Sequence, residues 1–359
     1  MRTISALALF VCLWVFAQQQ PKEGLEVIAG DVGKKLDAYL KTIDSEEGGF
    51  CGNAIVAIDG KVILEKGYGF ADAEAKRAMP VDALWDWASV SKQFTAAAVL
   101  RLQDMKKLKI DDPLKKLFPN APKDKTNVTL RQLLNHTSGI ESGFKKEWTF
   151  DATKRDSFVD LVLKLPMTSA PGEKWEYSNS GYSFLGAIIE IVSGKSFEEF
   201  CSEELFKRAG LKNSYQIGMK ELDLARVPKI DRGRGFTDRS KDFAFAYGNR
   251  LTWGYRACGG TVMTTRDMYL WDRALRGDKL LSEASKESLY TVRLNNYALG
   301  WHVNKRGKGR VASHSGGVQG VVTYVERGID EDFIVALTHS YSPKVYAGKT
   351  AQELLKLAK

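Results

Sequence analysis

The amino-acid sequence predicts an α+β fold in which both ends of the chain build one antiparallel sheet, flanked by helices and interrupted by a large helical insertion. Two observations lead to this prediction. Segments rich in β-branched residues occur around residues 54–64 and again beyond residue 296, whereas residues 110–250 have mostly helical patterns. The composition of the 359 residues, 44% hydrophobic and 27% charged, is typical of a globular protein and excludes a disordered chain.

The first segment is typical of a secretory signal peptide. A short basic start is followed by an apolar run from Ile4 to Ala17 and a polar break at Gln18. The run is shorter than the roughly 20 residues that a membrane-spanning helix needs. We expect residues 1–17 to be removed, so that residues 18–359 form an exported protein, periplasmic or secreted, without stable membrane insertion. A retained anchor is the alternative.

The next segments predict a helix, a hairpin and a second helix. Helical spacing is found for four apolar residues, Ile28, Val32, Leu36 and Leu40. Asp59-Gly60 separates two β-rich runs, 54–58 and 62–64, which is a strong signal for a tight hairpin. The Ala-rich stretch from Ser89 to Lys106 contains no Gly or Pro and predicts a helix.

The rest of the chain predicts helices, then strands. Helices are expected at 156–165, 181–193 and 197–208, and a polar surface loop at 231–242. Gly259–Met263 predicts a strand, after which Thr264 or Thr265 can cap a helix. Later strands are expected at 296–304, 310–313, 321–327 and 332–339, and a tail helix at 346–358. The predicted α/β part comprises about 24–95 and 255–359, and the mostly helical part about 96–254.

Charge and motif content exclude several classes of function. The net charge is +9, but basic and acidic residues are interspersed, so no nucleic-acid partner is expected. The sequence has no G-x-S-x-G, H-E-x-x-H or P-loop motif, and its four histidines are too scattered to suggest a metal site. The three cysteines beyond the signal segment, Cys51, Cys201 and Cys258, allow at most one disulfide.

An S-x-x-K motif begins the Ala-rich helix. Ser89 and Lys92 are three residues apart, so a helix places both side chains on one face. A serine hydroxyl is a weak nucleophile that needs a base, and an amine in a poorly solvated pocket gives up its proton more readily. The helix N-terminus would add a backbone N–H for an oxyanion. A second S-x-x-K, Ser142–Lys145, shows that the motif alone has little specificity.

Two further motifs have side chains that suit the same chemistry. Tyr177 can act as a base beside a cation, and in an extended segment Asn179 would point to the same side and bind a substrate amide. Tyr247–Asn249 has the same pattern. The glycines of Ser313–Gly317 would let a substrate lie against a strand edge. His314 can orient a substrate carboxylate or assist proton transfer, or it is an exposed histidine in a glycine-rich turn.

In this order and spacing, the three motifs resemble those of serine β-lactamases and penicillin-binding proteins. The resemblance is to the branch of class C β-lactamases, D-alanyl-D-alanine carboxypeptidases and related esterases. It covers about residues 28–357 and selects Ser89 and Tyr177 over the second copies. It implies a β-lactamase/transpeptidase-like fold and no metal or organic cofactor.

The resemblance implies a role for each motif residue. Ser89 would be the acylated nucleophile, with Lys92 and Tyr177 as the partners that handle its proton. Substrate would be bound by Asn179, His314, Ser315 and Gly316, and the oxyanion hole would be formed by the backbone N–H groups of Ser89 and Gly317. His136 would be structural.

One motif residue, His314, departs from the branch, which usually has Lys there. A largely neutral imidazole attracts a carboxylate less than an ammonium does, which weakens the case for β-lactam turnover and leaves peptidase or esterase action open. The sequence therefore predicts a serine hydrolase that cleaves an amide or ester of a small-molecule or peptide substrate through an acyl-enzyme on Ser89. A non-hydrolytic sensor or binding protein for penicillin or peptidoglycan is the alternative. The sequence does not indicate an oligomeric state.

Overall fold

The computed structural model describes residues 24–44, 49–142, 154–231, 236–237, 253–318, 320–342 and 345–359. The predicted signal segment, the Tyr247–Asn249 pattern and residues 143–145 of the second S-x-x-K lie outside these ranges. The strands are β1 (Val27–Ile28), β2 (Gly52–Ile58), β3 (Lys61–Tyr68), β4 (Phe70–Asp72), β5 (Arg77–Ala78), β6 (Trp85–Asp86), β7 (Ser214–Gln216), β8 (Ile230–Asp231), β9 (Phe236–Thr237), β10 (Thr261–Met263), β11 (His302–Arg306), β12 (Gly309–Val318), β13 (Val321–Gly328) and β14 (Phe333–Ser340). The α-helices are α1 (Gly30–Asp44), α2 (Lys92–Asp104), α3 (Leu114–Leu117), α4 (Leu130–Leu134), α5 (Arg155–Lys164), α6 (Asn179–Ser193), α7 (Phe197–Cys201), α8 (Thr265–Arg276), α9 (Glu283–Tyr290) and α10 (Ala347–Leu357).

The main sheet is antiparallel and has the strand order β1–β3–β2–β14–β13–β12–β11. The N-terminal strands and the C-terminal strands meet where β2 pairs with β14, with Val56 opposite Val335 and Ile55 opposite Ala336. Every residue of β14 is buried, as expected for a strand that is covered on both faces. Because both chain ends build this sheet, the predicted fold class is confirmed.

Alternate residues of the central strands face two different helical layers. Val56 and Val335 belong to an apolar cluster with residues of α1 and α10. Ile55 and Ala336 point to the opposite face and join a larger cluster with residues of α2 and α6. This period-2 alternation is what a sheet between two layers requires.

Helix α2 lies inside the larger cluster. Its residues from Lys92 to Leu100 are all buried, and Ala96, Ala97 and Ala98 are fully buried. Nine consecutive buried residues cover every side of a helix, so this part of α2 is packed on all sides. The burial of α2 therefore fixes the position of the S-x-x-K motif at its start relative to the sheet.

A small sheet, β6–β10–β7, connects the segment before α2 to the rest of the chain. The backbone N–H of Trp87 donates to the Thr261 carbonyl at 2.9 Å, and the Thr261 N–H donates to Ser91 Oγ at 3.0 Å. The indole Nε1 of Trp87 donates to the Met263 carbonyl at 3.0 Å. Strand β10 thus holds both sides of the turn that contains Ser89.

The predicted hairpin, helix cap and tail helix, each of which has a clear local sequence signal, are confirmed. Asp59 and Gly60 have φ of +49° and +71°, and β2 pairs with β3 on either side of them, as expected for the primed turn of a tight hairpin. Thr264 caps α8, because its side chain accepts a hydrogen bond from the Asp267 N–H at 3.1 Å. The tail helix is present as α10.

Several predicted boundaries were wrong. The predicted strand 296–304 is regular only from His302, because Asn296 and Gly300 have φ of +53° and +76°, which an extended strand does not allow. The predicted helix 197–208 changes to a π-turn at Ser202. In the predicted loop 231–242, the described residues pair as the short strands β8 and β9. In the described ranges, no helix is both long and apolar enough to cross a membrane.

Candidate active site

Ser89 lies in a 3₁₀ turn, Ala88–Ser91, rather than in the first turn of an α-helix as predicted. Helix α2 begins only at Lys92. In a 3₁₀ turn, side chains three residues apart eclipse each other, which places Lys92 beside Ser89. Ala88 has a φ of +47°, an unfavourable conformation for a residue with a Cβ, and its N–H donates to Asp86 Oδ1 at 2.8 Å. The turn is held in this conformation by its surroundings.

Lys92 is fully buried and its amine has three polar neighbours. The Nζ atom lies 2.6 Å from Asn179 Oδ1, 2.8 Å from the Cys258 carbonyl oxygen and 3.3 Å from Ser89 Oγ. The two carbonyl oxygens can only accept hydrogen bonds, whereas the serine hydroxyl can also donate one. Two N–H groups of Lys92 therefore donate hydrogen bonds to the carbonyl oxygens, and the third substituent position on Nζ faces Ser89 Oγ.

Tyr177 and Asn179 reach the same amine from the segment that leads into α6. Lys92 Nζ lies 4.7 Å from the centroid of the half-buried Tyr177 ring. The prediction that Asn179 lies in an extended segment was wrong, because Asn179 is the first residue of α6 and Ser178 is its N-cap. The Ser178 side chain accepts from the Gly181 N–H at 3.0 Å, and this cap begins the helix at Asn179.

His136 holds in place the segment that leads into α6. Its Nδ1 accepts a hydrogen bond from the Ser178 N–H at 3.1 Å, and its ring lies 4.4 Å from the Tyr177 ring. Burial and the charge of Lys92 hold the pKa of His136 well below its usual range. These contacts agree with the expected structural role of His136.

Strand β12 forms the opposite wall of the site. Gly316 packs directly on the turn before Ser89: a Cβ added at Gly316 would lie 2.5 Å from the Trp87 carbonyl oxygen and 3.2 Å from Ala88 Cβ. The same carbonyl accepts a hydrogen bond from Thr323 Oγ1 at 3.0 Å. Only glycine allows this close approach, which ties β12 and β13 to the Ser89 turn.

The edge of β12 is open beside the turn. Strand β11 pairs with β12 only as far as His302, which lies opposite Ser313, so residues 314–318 have no strand partner on that side in the described sheet. An open edge offers backbone N–H and carbonyl groups to an extended ligand. This segment contains Gly317, whose backbone N–H is predicted to bind an oxyanion together with that of Ser89.

His314 is buried, which contradicts the alternative of an exposed histidine in a turn. It is 3% exposed, and its ring lies 6.3 Å from the Tyr177 ring. Burial first, and then the charge of Lys92, lowers the pKa of His314 to about 3, so the imidazole is neutral at pH 7. The structure therefore gives His314 no positive charge with which to orient a substrate carboxylate.

Side chains alternate along β12, so its motif residues do not all face Ser89. His314 and Gly316 are buried on the side of the Ser89 turn, whereas Ser315 and Gly317 are exposed. The side chain of Ser315 consequently points away from Gly316 and the Ser89 turn. A substrate-binding role for Ser315 stays a prediction, and it would involve the backbone groups of Ser315 at the open edge of β12 rather than its side chain.

Sequence reasoning missed several groups around Lys92. The Cys258 carbonyl and the Tyr182 ring, 5.5 Å from Lys92 Nζ, have no motif signal. Tyr297 lies among His136, Tyr177 and His314, with its ring centroid 4.6 Å from that of His136. The sequence signal closest to Tyr297 was the segment Leu299-Gly300-Trp301. Its glycine packs against α2, because a Cβ at Gly300 would lie 2.8 Å from the Lys92 carbonyl oxygen.

The described residues contain no group of three or more His, Cys, Asp or Glu side chains that could hold a metal ion. The cysteines Cys51, Cys201 and Cys258 are not joined in disulfides. The groups that the described structure offers for chemistry at the candidate site are the Ser89 hydroxyl, the buried Lys92 amine, the Tyr177 phenol and the open edge of β12.

This fold, with its sheet built by both chain ends and its helical insertion, is that of the β-lactamase and transpeptidase class of proteins. The β-lactamase family model matches residues 36–358. The chain is 32% identical to penicillin-binding protein 4* of Bacillus subtilis over 316 residues, which are 83% of this chain and 69% of that protein. The chain therefore belongs to the β-lactamase family.

Two further comparisons describe the range of the family. The chain is 28% identical over 298 residues to a D-aminopeptidase of Brucella anthropi, covering 79% of this chain and 55% of that enzyme. The octameric penicillin-binding protein homologue from Pyrococcus abyssi has the same fold, with a TM-score of 0.76 at 24% identity over 91% of this chain and 77% of that one. Since a D-aminopeptidase is among the relatives, the comparisons support a hydrolase.

Proposed function

We propose that this protein is an exported serine hydrolase that cleaves an amide or ester bond through an acyl-enzyme on Ser89. The observation that carries the proposal is the position of the Lys92 amine, 3.3 Å from Ser89 Oγ and bonded to two carbonyl oxygens. A neutral amine held in this way directs its lone pair at the serine hydroxyl. Export is supported by the N-terminal sequence pattern.

In the acylation step, Ser89 Oγ forms a bond to the substrate carbonyl carbon while its proton passes to Lys92 Nζ. The carbonyl electrons move to the oxygen, which the N–H groups of Ser89 and Gly317 stabilise. When the tetrahedral intermediate collapses, the bond to the leaving amine or alcohol breaks. The leaving group takes the proton from Lys92, directly or through the Tyr177 hydroxyl.

In the deacylation step, water replaces the alcohol or amine that has left. A water molecule attacks the acyl carbon and its proton passes to Lys92, directly or through the Tyr177 hydroxyl; when the tetrahedral intermediate collapses, the bond to Ser89 Oγ breaks and Oγ takes that proton back from Lys92. The result is a free acid and the original enzyme. The similarity to a D-aminopeptidase supports amides of D-amino acids as the first substrates to try.

The test compares Ser89→Ala with Ser142→Ala, since Ser142 begins the second S-x-x-K of the sequence. We expect the parent protein to turn over a chromogenic short-chain ester or a D-amino-acid amide. Ser89→Ala should lower kcat/KM by about 10³-fold or more, as loss of a nucleophile does, whereas Ser142→Ala should not. Retained activity in Ser89→Ala would show that another residue is acylated.

A fluorescent penicillin distinguishes the hydrolase from the binding protein. Steady product from the ester or amide panel supports the hydrolase. A penicillin label that persists on Ser89, with no product from any ester or amide, would favour the non-hydrolytic binding protein.

A further inference from the structure

Two residues that lie outside the three motifs share a hydrogen bond beside the Ser89 turn. The Tyr255 hydroxyl donates to Asp86 Oδ2 at 2.9 Å, although the two residues are 169 positions apart in the sequence. Asp86 is 1% exposed, and its other oxygen, Oδ1, accepts from the Ala88 N–H at 2.8 Å. The Asp86 side chain therefore connects the turn before Ser89 to the segment that begins at Tyr255.

Each of the two connected segments contains an alanine in the left-handed region. Ala88 has a φ of +47° and Ala257 has a φ of +67°. A residue with a Cβ occupies this region only where its surroundings hold it there. Asp86 lies two residues before Ala88, and Tyr255 lies two residues before Ala257, so their hydrogen bond restrains the backbone close to both strained positions.

The residues that follow the two alanines orient the reacting groups of the candidate site. Ala88 is followed by Ser89, the predicted nucleophile, whose backbone N–H is also a predicted oxyanion donor. Ala257 is followed by Cys258, whose carbonyl oxygen accepts a hydrogen bond from Lys92 Nζ at 2.8 Å. Rotation of the backbone at either alanine would therefore move the serine hydroxyl or the carbonyl that orients the amine.

The Tyr255 ring is held in place by close packing on a glycine. A Cβ added at Gly259 would lie 2.6 Å from two carbon atoms of the ring and 2.9 Å from its hydroxyl oxygen. The Gly259 N–H donates to the Tyr255 carbonyl at 3.1 Å. Glycine at this position lets the ring lie against the backbone while its hydroxyl reaches Asp86.

We propose that Asp86 and Tyr255 are positioning residues for the acylation step: their hydrogen bond sets the distance between the Ser89 hydroxyl and the Lys92 amine. The bond does so by joining the turn that contains the nucleophile to the segment whose carbonyl orients the amine. This inference rests on the proposed hydrolase function. Both residues act through their neighbours rather than on the substrate.

A fluorophosphonate with a fluorescent tag measures the reactivity of Ser89 without turnover. Ser89 Oγ forms a bond to phosphorus, the phosphorus–fluorine bond breaks, and fluoride leaves together with the serine proton. Tyr255→Phe removes one contact of the pair and should lower the second-order rate constant of labelling by about 10-fold. Asp86→Ala removes the contacts to Tyr255 and Ala88 and should lower it by about 100-fold, the cost of a displacement of about 1 Å.

The conservative variant Asp86→Asn tests whether hydrogen bonding explains these losses. Its amide oxygen can accept from the Ala88 N–H, and its NH₂ group can donate to the Tyr255 hydroxyl oxygen. We expect Asp86→Asn to label at least about 10-fold faster than Asp86→Ala. An Asp86→Asn variant as slow as Asp86→Ala would overturn the proposal, and so would a parent labelling rate in Tyr255→Phe.

A double variant determines whether the two residues act together. Asp86→Ala already breaks the hydrogen bond, so adding Tyr255→Phe to it should slow labelling no further. A loss in the double variant equal to the product of the two single losses would show that the residues act separately and would overturn the proposal.

The matched control is Tyr68→Phe, which removes a similar contact far from the Ser89 turn. Tyr68 is buried in the apolar cluster of α1 and α10, and its hydroxyl donates to Asp37 Oδ1 at 3.1 Å. We expect Tyr68→Phe and Tyr255→Phe to lower the urea midpoint to a similar degree, but only Tyr255→Phe to slow labelling. Equal slowing in both variants would reduce the effect to general stability and contradict the proposal.

The labelling assay separates this inference from the proposed function. If the probe labels Ser89 but no ester or amide is hydrolysed, the proposed function fails, and the labelling rates still decide the role of the pair. If the parent protein hydrolyses an ester or amide and every variant of the pair labels at the parent rate, the inference fails and the proposed function stands.

Discussion

Replacing Gly316 by alanine tests whether the contact between β12 and the Ser89 turn sets the geometry of the site. The added Cβ would lie 2.5 Å from the Trp87 carbonyl oxygen and 2.3 Å from Thr323 Oγ1, both far inside normal contact distances. The first contact is to backbone, which cannot rotate away. To restore 3.4 Å to the Trp87 oxygen, β12 and the turn must separate by about 0.9 Å.

This displacement has two consequences of different size. A shift of about 1 Å in the groups around a reacting atom can cost about 100-fold in rate, so we expect kcat/KM for Gly316→Ala to fall by that factor. Overpacking of a buried contact typically costs about 1–3 kcal/mol, so the free energy of unfolding should fall by a similar amount. Activity is measured with the best ester or amide substrate, and stability by urea unfolding.

The matched control is Gly309→Ala, at the other end of the same strand. A Cβ at Gly309 meets only side-chain atoms, at 3.5 Å and beyond, so this variant should keep the parent kcat/KM. If Gly316→Ala has the kinetics and stability of Gly309→Ala, then β12 does not rest on the Ser89 turn as described, and the reasoning about the oxyanion hole fails with it.

Three other predictions concern stability and reactivity. His339 is fully buried and burial lowers its pKa from 6.5 to about 4, so as pH falls the unfolded chain binds a proton at this residue before the folded protein does. His339 therefore accounts for a loss of stability of about 1.4 kcal/mol per pH unit as pH falls from 6.5 toward 4. Burial also lowers the pKa of His136 and His314, so His339→Gln should reduce the slope of urea midpoints over that range by this amount without abolishing it, and an unchanged slope would contradict the prediction. Asp272 is buried and accepts hydrogen bonds from Arg273, Arg276 and Arg327. Asp272→Asn removes the carboxylate that faces the buried Arg327, whereas Arg273 and Arg276 still pair with Asp332. The free energy of unfolding should therefore fall by about 3–5 kcal/mol, and a urea midpoint within error of the parent value would contradict this. Burial raises the pKa of the Cys201 and Cys258 thiols. Ellman's reagent should therefore not modify these two thiols in the native protein lacking residues 1–17, but should modify them in urea. Rapid modification of Cys258 in the native protein would show that its thiol is not buried.

Much of the site could be predicted because its parts have local signals. The spacing of Ser89 and Lys92 puts them together in any helical turn, whether α or 3₁₀, so the error in helix type did not separate them. Tyr177 and Asn179 were found by their order relative to that motif. The position of Asn179 within α6 was missed, because Ser178 is an N-cap that the sequence reasoning did not recognise.

The environment of each group could not be read from local patterns. Whether His314 is exposed or buried depends on Tyr297, Lys92 and the strands that pack around it, and burial rather than residue type removes its charge at pH 7. Likewise, Gly316 was assigned to substrate binding, whereas the structure also requires glycine there because a Cβ would collide with the turn of Trp87 and Ala88.

The sequence by itself determined the chemistry that is available and the elements that carry it: the hairpin at Asp59-Gly60, the cap at Thr264, and a hydroxyl and an amine one turn apart. Only the tertiary structure decided what surrounds them. The Cys258 carbonyl that bonds to Lys92 is 166 residues away along the chain. Periodicity and spacing report on neighbours within a few turns, whereas burial and hydrogen bonds across such separations arise when the core closes around α2.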